Sequence, residues 1–195
     1  MWTRIVFGTE FYNVFQWFMI YSILGWVVES IYMSICNRKL TNRGFVWGPF
    51  CPIYGVGALT VYFLLKPICH NLVLLYLLGC LVPTALELIT AMVMQKIFGE
   101  VWWDYSDKPF NYKGILCLES TIAWGFYTLG LFLFLQRGVE HIVSFYPYEM
   151  GKKVGGFLFL LFLADFIHTL YREKRDCFEG TIEDIKEGIR EFCGR

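Results

Sequence analysis

Five apolar segments, each with no more than two charged residues, constrain the fold of this chain more than any other feature of its sequence. They are residues 11–36, 53–66, 70–96, 115–136 and 153–171. A helix that crosses a bilayer needs about 20 predominantly apolar residues, because each residue adds about 1.5 Å to its length. The pattern predicts an all-α integral membrane protein with about five transmembrane helices.

The composition is typical of an integral membrane protein. Hydrophobic residues make up 56% of the 195 residues and charged residues 17%, against about 25% in ordinary soluble domains. The formal net charge is zero, so no electrostatic footprint for nucleic acid is present. The seven scattered cysteines and three histidines have no ligand spacing, so we expect neither a metal site nor a cofactor.

The sequence divides into one transmembrane domain, residues 1–175, and a cytoplasmic amphipathic tail, residues 176–195. In the tail, apolar residues recur at helical spacing at Ile182, Ile185, Ile189 and Phe192. Nine Lys and Arg residues lie in the first and third connections and directly after the last apolar segment, and five lie on the other side. The positive-inside tendency therefore predicts a cell-membrane protein with its N-terminus outside and its C-terminus inside.

The stretch TNRGFVWGPFCPIYG, residues 41–55, introduces helix breakers at the entrance to the second apolar segment. Its prolines cannot donate backbone hydrogen bonds, and its glycines permit left-handed turns. These residues are Gly44, Gly48, Pro49, Pro52 and Gly55. Because broken backbone at membrane depth survives only in protein or beside a wet cavity, we expect a broken or re-entrant segment after helix one. An interfacial loop that wraps the helix ends and binds nothing is the alternative.

Four acidic residues lie inside the apolar segments, at positions that lipid would not tolerate. They are Glu29, Glu87, Glu119 and Asp165. Helical rise places all four within roughly 6 to 14 Å of the cytoplasmic ends of their helices. Intramembrane carboxylates face the bundle, a partner or water, so the shared depth predicts a polar cavity in the cytoplasmic half of the membrane. Polar contacts that only hold helices together are the alternative.

The neighbours of these acids have helical spacing. Ser22 and Gly25 share a face with Glu29, and small residues on a face favour close helix approach. Pro83 precedes Glu87 by four residues, so it removes one backbone hydrogen bond and frees a carbonyl.

Further polar residues lie in the first and third connections. Asp104, Tyr105, Ser106 and Asn111 precede the fourth helix, and a loop folded under the cavity would bring them beside the carboxylates. An ordinary turn with interfacial aromatic anchors would have the same composition.

Asn42 and Arg43 lie at the beginning of the broken segment, where Arg43 is either a charge partner for the acids or an anchor for lipid phosphate.

Asp165, His168 and Arg172 form a stripe on the last helix that is typical of residues at a membrane boundary.

Four pieces of the sequence carry a resemblance to a known family. They are YSILGWVVESIY at 21–32, NRGFVWGPFCPIYGVGA at 42–58, ALELITA around Glu87 and WWDYSDKPFNYKGILCLESTIAWG at 102–125. In these pieces the chain resembles the ABC-transporter type IV permease family, the CmpB-like small integral membrane proteins. The resemblance implies an all-helical membrane protein and names no substrate. It places signature positions at Glu29, Asn42, Arg43, Gly44, Pro49, Tyr54, Trp103, Asp104, Tyr105, Ser106, Asn111 and Trp124.

These observations favour a permease-like subunit for a small solute or ion, with a carboxylate-lined cavity as its binding site. The candidate ligand-binding residues are Glu29, Asn42, Arg43, Glu87, Asp104, Tyr105, Ser106, Asn111 and Glu119. Transporters bind cations and ammonium groups at such places, where broken backbone meets polar side chains near the membrane midplane.

Two other functions stay open, an intramembrane enzyme that acts on a lipid or amphipathic substrate and a structural or regulatory membrane subunit. No G-x-S-x-G or H-E-x-x-H motif is present, which favours a role without catalysis. No G-x-x-x-x-G-K-[ST] motif is present either, so ATP-driven transport would need a separate ATPase. The expected partners are the lipid bilayer, that ATPase or another membrane subunit, and further copies of the chain, with no nucleic acid.

Overall fold

The computed structural model describes residues 2–42, 46–99 and 101–193, and the side chains of residues up to 175. Five helices make up most of the described chain, as the apolar segments predict. They are α1 (Phe11–Asn37), α2 (Pro52–Leu65), α3 (Leu72–Phe98), α4 (Leu118–Phe145) and α5 (Tyr148–Cys193). A short 3-10 turn, Lys66–Ile68, follows α2, and α4 contains a π-helical segment at Leu131–Leu135.

Four of these helices are long and apolar enough to cross a membrane, and the fifth is shorter. The long segments are Phe11–Asn37, Leu72–Phe98, Leu118–Phe145 and Tyr148–Arg175, and the shorter apolar one is Pro52–Ile68. Many large apolar side chains on these helices are exposed, including Leu81 on α3 and Phe157 on α5. An apolar outer surface of this kind suits lipid, and the chain is an all-α, multi-pass integral membrane protein.

Helices α1 and α2 approach closely through small residues. Ser22 of α1 is fully buried, and a Cβ added to Gly55 of α2 would collide with its hydroxyl. A Cβ added to Gly25 of α1 would collide with the ring of Tyr54. Neither Gly48 nor Gly55 adopts a positive φ, so neither uses the left-handed turn that a glycine permits. Gly55 lies inside α2, where its missing side chain makes room for α1.

Helices α3 and α4 form the second close pair. A Cβ at Gly79 of α3 would lie 2.6 Å from the Cβ of Thr128, and one at Gly125 of α4 would lie 2.5 Å from the sulfur of Cys80. Thr84 and Thr121 also form a hydrogen bond between the two helices, with 3.2 Å between their hydroxyl oxygens. Small residues and hydroxyls thus replace bulky apolar packing along this interface.

Helix α4 ends at Phe145, nine residues after the end that its apolar segment predicts. Polar residues from Arg137 onward indicate a boundary, yet the helix continues. Val139 and Val143, which are four residues apart, are only 1% and 7% exposed because both pack in the core. Tertiary packing of one apolar face therefore extends the helix beyond its hydrophobic segment.

The last helix is continuous from Tyr148 to Cys193. It starts five residues before the predicted beginning and runs through the basic cluster that follows Tyr171. The separation of a cytoplasmic tail at residue 176 stays a prediction, since the side chains beyond residue 175 lie outside the described part.

Two short hairpins were not expected from the sequence. Ile5–Val6 pairs with Thr9–Glu10 before α1, and Asn111–Tyr112 pairs with Leu116–Cys117 before α4. Each strand has only two residues, which is too short to show the period-two pattern of a strand in the sequence. The second hairpin shapes the connection that reaches the candidate site.

Candidate functional site

Glu87 is a buried acid at the interface of α3 and α4. Its side chain is only 6% exposed. One carboxylate oxygen accepts a hydrogen bond from the hydroxyl of Tyr105, at 3.0 Å, and the other accepts from Nε1 of Trp124, at 3.2 Å. Both oxygens of this buried group therefore have a donor, as a polar group in a low-dielectric interior requires.

Glu29 is the second acid of the site and projects from α1. It is half-buried, and its Oε1 accepts a hydrogen bond from the hydroxyl of Tyr54 on α2, at 2.5 Å. The centroid of the Tyr54 ring lies 6.0 Å from that of Trp124, which is one of the two donors to Glu87. We call these five residues, Glu29, Tyr54, Trp124, Glu87 and Tyr105, the carboxylate network.

The carboxylate network draws one side chain from each of α1, α2, α3, α4 and the connection before α4. Glu29 lies eight residues before the end of α1 and Glu87 eleven before the end of α3, which places them about 12 and 16 Å from those helix ends. Because both ends lead into connections on one side of the bundle, the two acids share one half of the apolar thickness. Among the described residues, neither acid takes part in an ion pair.

Tyr105 reaches the network from the third connection. Its backbone N–H donates to the carbonyl of Gly114 at 2.8 Å, and this bond closes the loop beside the hairpin. Burial raises the pKa of the Tyr105 hydroxyl, and the nearby charges of Glu87 and Glu29 raise it further. Tyr105 therefore stays protonated and remains a donor to Glu87.

The other candidate residues of this connection hold the loop in shape. Oδ1 of Asp104 accepts from the backbone N–H and the hydroxyl of Ser106, and these bonds hold the pKa of Asp104 below its ordinary value. The amide of Asn111 donates to the carbonyls of Ser106 and Lys108 and accepts from the N–H of Gly114. All these bonds are local, so Asp104, Ser106 and Asn111 position Tyr105.

Glu119 lies apart from the carboxylate network. Its carboxylate pairs with Nζ of Lys108 at 2.9 Å, and its side chain is 62% exposed. The hydrogen bond that Lys108 donates to Glu119 raises the pKa of Lys108. An exposed ion pair of this kind joins the loop to the first turn of α4.

The described part of the broken segment is bound to α1 and α5. Asn42 accepts a hydrogen bond from Nε1 of Trp26, at 2.6 Å, and donates to the carbonyl of Trp47, at 2.9 Å. The N–H of Cys51 donates to the carbonyl of Ser22. Asn42 thus stabilises the segment, while Arg43 lies outside the described residues and its role as a charge partner stays a prediction.

Asp165 and Arg172 of α5 contact the same segment. Oδ2 of Asp165 accepts from the N–H of Gly48 at 2.8 Å, and the guanidinium of Arg172 lies over the ring of Trp47 at 5.4 Å. The helical spacing of the stripe on α5 indicates only residues at a membrane boundary. In the structure two of its members bind the backbone and the indole of the broken segment, which the helical spacing alone could not indicate.

Two members of the carboxylate network, Tyr54 and Trp124, were not among the candidate binding residues. Both stand at signature positions of the family resemblance, and both are aromatic donors in segments that contact an acid. A search for hydroxyl and indole donors at the depth of each buried acid would have found them, because a buried carboxylate needs such partners.

Sequence reasoning also missed a second polar cluster, at the end of the bundle opposite the carboxylate network. The hydroxyl of Tyr21 donates to Gln136 at 2.6 Å, and the amide of Gln136 donates to Glu140 at 2.9 Å. Gln16 donates to the carbonyl of Gly151 and accepts from the hydroxyl of Tyr146. A glutamine inside each of two apolar segments was the signal, since an amide in a membrane span needs partners.

Comparison with known proteins gives a family and no structural relative. No solved structure matches the chain. Residues 16–170 match the family described as "Putative ABC-transporter type IV". The match begins in α1, includes α2, α3 and α4 and ends in α5, so it contains every member of the carboxylate network. The chain is therefore a member of the family of multi-pass membrane proteins described as "Putative ABC-transporter type IV".

Proposed function

We propose that the chain is a permease-like subunit that binds a small cation, either a metal ion or an ammonium compound, between Glu29 and Glu87. The observation that carries the proposal is a pair of intramembrane acids joined through Tyr54 and Trp124, with no ion pair to either acid among the described residues. An acid at membrane depth is costly unless it is protonated or has a positive partner.

The donors in the network support a binding role for the acids. Tyr54, Tyr105 and Trp124 each donate to a carboxylate oxygen, and such bonds favour the ionised form of the acid. The aromatic rings around them can also face a cation, which a ring attracts through its quadrupole. A positive ligand is therefore the partner that this arrangement fits best.

The surrounding backbone supports a solute site. The segment before α2 is irregular, and it is held against α1 and α5 by the hydrogen bonds of Asn42 and Gly48 and by the buried side chains of Val46 and Phe50. Irregular backbone at membrane depth accompanies solute sites in transporters. Because the sequence has no phosphate-binding loop, transport driven by ATP would require a separate ATPase subunit.

Thermal unfolding of the purified protein tests the proposal. We would compare sodium, potassium, magnesium, ammonium and methylammonium chlorides at constant ionic strength. A ligand that binds only the folded protein stabilises it, by about 2.7 kcal/mol at a concentration of 100 times Kd. We expect at least one cation to stabilise the protein saturably.

Matched variants separate ligand binding from general salt effects. Glu29→Gln and Glu87→Gln should abolish the cation-dependent stabilisation, and Glu119→Gln, which changes an exposed acid outside the network, should retain it. If no cation stabilises the wild type, or if all three variants respond as the wild type does, the acids only hold helices together and the proposal is wrong.

A further inference from the structure

The carboxylate network lies where two pairs of helices meet, α1 with α2 and α3 with α4. A buried apolar cluster joins the pairs at the opposite end of the bundle, where it includes Val61 of α2, Leu75 of α3 and Val139 of α4. At the network, the rings of Tyr54 on α2 and Trp124 on α4 meet across the two pairs, with 6.0 Å between their centroids. Aromatic rings therefore stand beside the acids at the place where the pairs come together.

The members of this region differ in how far a ligand can reach them. Glu87 is only 6% exposed, and both of its oxygens already accept hydrogen bonds. Glu29, Tyr54 and Trp124 are partly exposed. Tyr127, three residues after Trp124 on α4, contacts its indole at 5.7 Å between centroids and is 58% exposed. A ligand can therefore reach the carboxylate of Glu29 and these rings, while Glu87 acts on it through its charge.

This arrangement suits a cation that donates no hydrogen bonds. A metal ion needs several ligand atoms in direct contact, and a primary ammonium has three N–H groups that need acceptors. Among the described residues, no group of three His, Cys, Asp or Glu side chains could hold a metal ion. Tyr54 already binds one oxygen of Glu29. A quaternary ammonium needs only negative charge and aromatic surface, because alkyl groups cover its nitrogen.

The hydrogen bonds of the rings strengthen their attraction for a cation. The hydroxyl of Tyr54 donates to Glu29, and Nε1 of Trp124 donates to Glu87. A ring whose O–H or N–H points at a carboxylate is polarised towards a more electron-rich face, and such a face attracts positive charge more strongly. Because indole is the best aromatic partner for a cation, Trp124 should contribute most.

We propose that the ligand of the carboxylate network is a quaternary ammonium compound, held on the carboxylate of Glu29 and the faces of Tyr54 and Trp124. This assignment rests on the proposed function and narrows its small cation to one chemical class. The charge of Glu87 adds to that of Glu29, so the site favours a cation over a neutral compound of the same shape.

Thermal unfolding at constant ionic strength tests the ligand class. Tetramethylammonium and choline chlorides would be added to the cation panel, together with dimethylbutanol, the neutral analogue of choline that has carbon in place of nitrogen. We expect a quaternary compound to stabilise the protein at a concentration about tenfold lower than sodium, potassium or methylammonium. Glu29→Gln should abolish that stabilisation, and the neutral analogue should cause none.

Fluorinated tryptophan tests the ring contact without a substitution. Fluorine withdraws electrons from the indole and leaves its N–H in place, so tetramethylammonium should bind about tenfold more weakly to protein made with trifluorotryptophan. This effect of fluorination should be absent in Trp124→Phe. It should persist in Trp2→Phe, which changes an indole that packs on Phe15 at the other end of the bundle.

The outcomes distinguish the ligand class from the function on which it rests. If no cation stabilises the protein, the proposed function is wrong and the assignment falls with it. If a metal ion or methylammonium stabilises the protein through Glu29 while the quaternary compounds do not, the function stands and the quaternary class is overturned. It is also overturned if the neutral analogue stabilises equally, or if fluorination leaves the response to tetramethylammonium unchanged.

Discussion

The hydroxyl of Thr128 on α4 donates to the backbone carbonyl of Gly79 on α3, with 3.4 Å between the oxygens. This carbonyl is available because Pro83, four residues later, has no N–H to donate to it. A break in the hydrogen bonding of one helix is thus used by a side chain of the next. Thr128 is only 3% exposed, so water does not supply the bond instead.

A double-mutant cycle tests this relationship. Thr128→Val removes the donor, and we expect a loss of about 0.6 kcal/mol, up to about 1.7, in the free energy of unfolding. Thr128→Ser retains the hydroxyl and should lose less. In Pro83→Ala the backbone N–H of residue 83 can serve Gly79, so Thr128→Val should then cost less than in the wild type. Strictly additive losses would show that the two residues are not coupled.

The close packing of α1 and α2 predicts different tolerance at two glycines of α2. Gly55→Ala places a methyl group against Ser22 and the carbonyl of Phe18, whereas a Cβ at Gly57 has no atom within 4 Å. We expect Gly55→Ala to lower the free energy of unfolding by about 1 to 3 kcal/mol, because the interface is overpacked. Gly57→Ala should be neutral or stabilising by up to about 1 kcal/mol. Equal changes in thermal stability at both sites would contradict this packing.

The bond between Asp165 and the N–H of Gly48 predicts the behaviour of the broken segment. Asp165→Ala should increase the rate of hydrogen exchange in residues 46–51, because the amide of Gly48 loses its acceptor. Asp165→Asn keeps an oxygen acceptor and should show a smaller increase. His168→Ala changes an exposed residue one turn along the same helix and serves as the control. Unchanged exchange in Asp165→Ala would mean that the segment is held by other contacts.

Much of the fold could be predicted from the sequence, because the apolar segments and their small-residue faces are local signals. The end of α4 could not be predicted from the sequence, since Val139 and Val143 extend the helix only when the core is assembled. The acids Glu29 and Glu87 were found because charge stands out in an apolar segment. The sequence did not indicate that Glu119 lies on the exposed surface, since its pairing with Lys108 depends on the fold of the preceding loop.

The orientation of the bundle is open to a labelling experiment. The Lys and Arg distribution predicts that residues 37–52 and 97–114 face the cytoplasm and that residues 137–152 face outward. We would introduce single cysteines at positions 39, 108 and 149 in a background without other cysteines and treat intact cells with an impermeant thiol reagent. Only the cysteine at 149 should react. Reaction at 39 or 108 instead would reverse the orientation.

The most direct measurement of the central claim is the difference infrared spectrum of the reconstituted protein with and without each cation of the panel. If Glu29 and Glu87 hold the cation, its addition changes the carboxylate stretching bands. That change disappears in Glu29→Gln and in Glu87→Gln and persists in Glu119→Gln. Carboxylate bands that no cation changes, or a change that survives in both network variants, would contradict the claim that these two acids form the binding site.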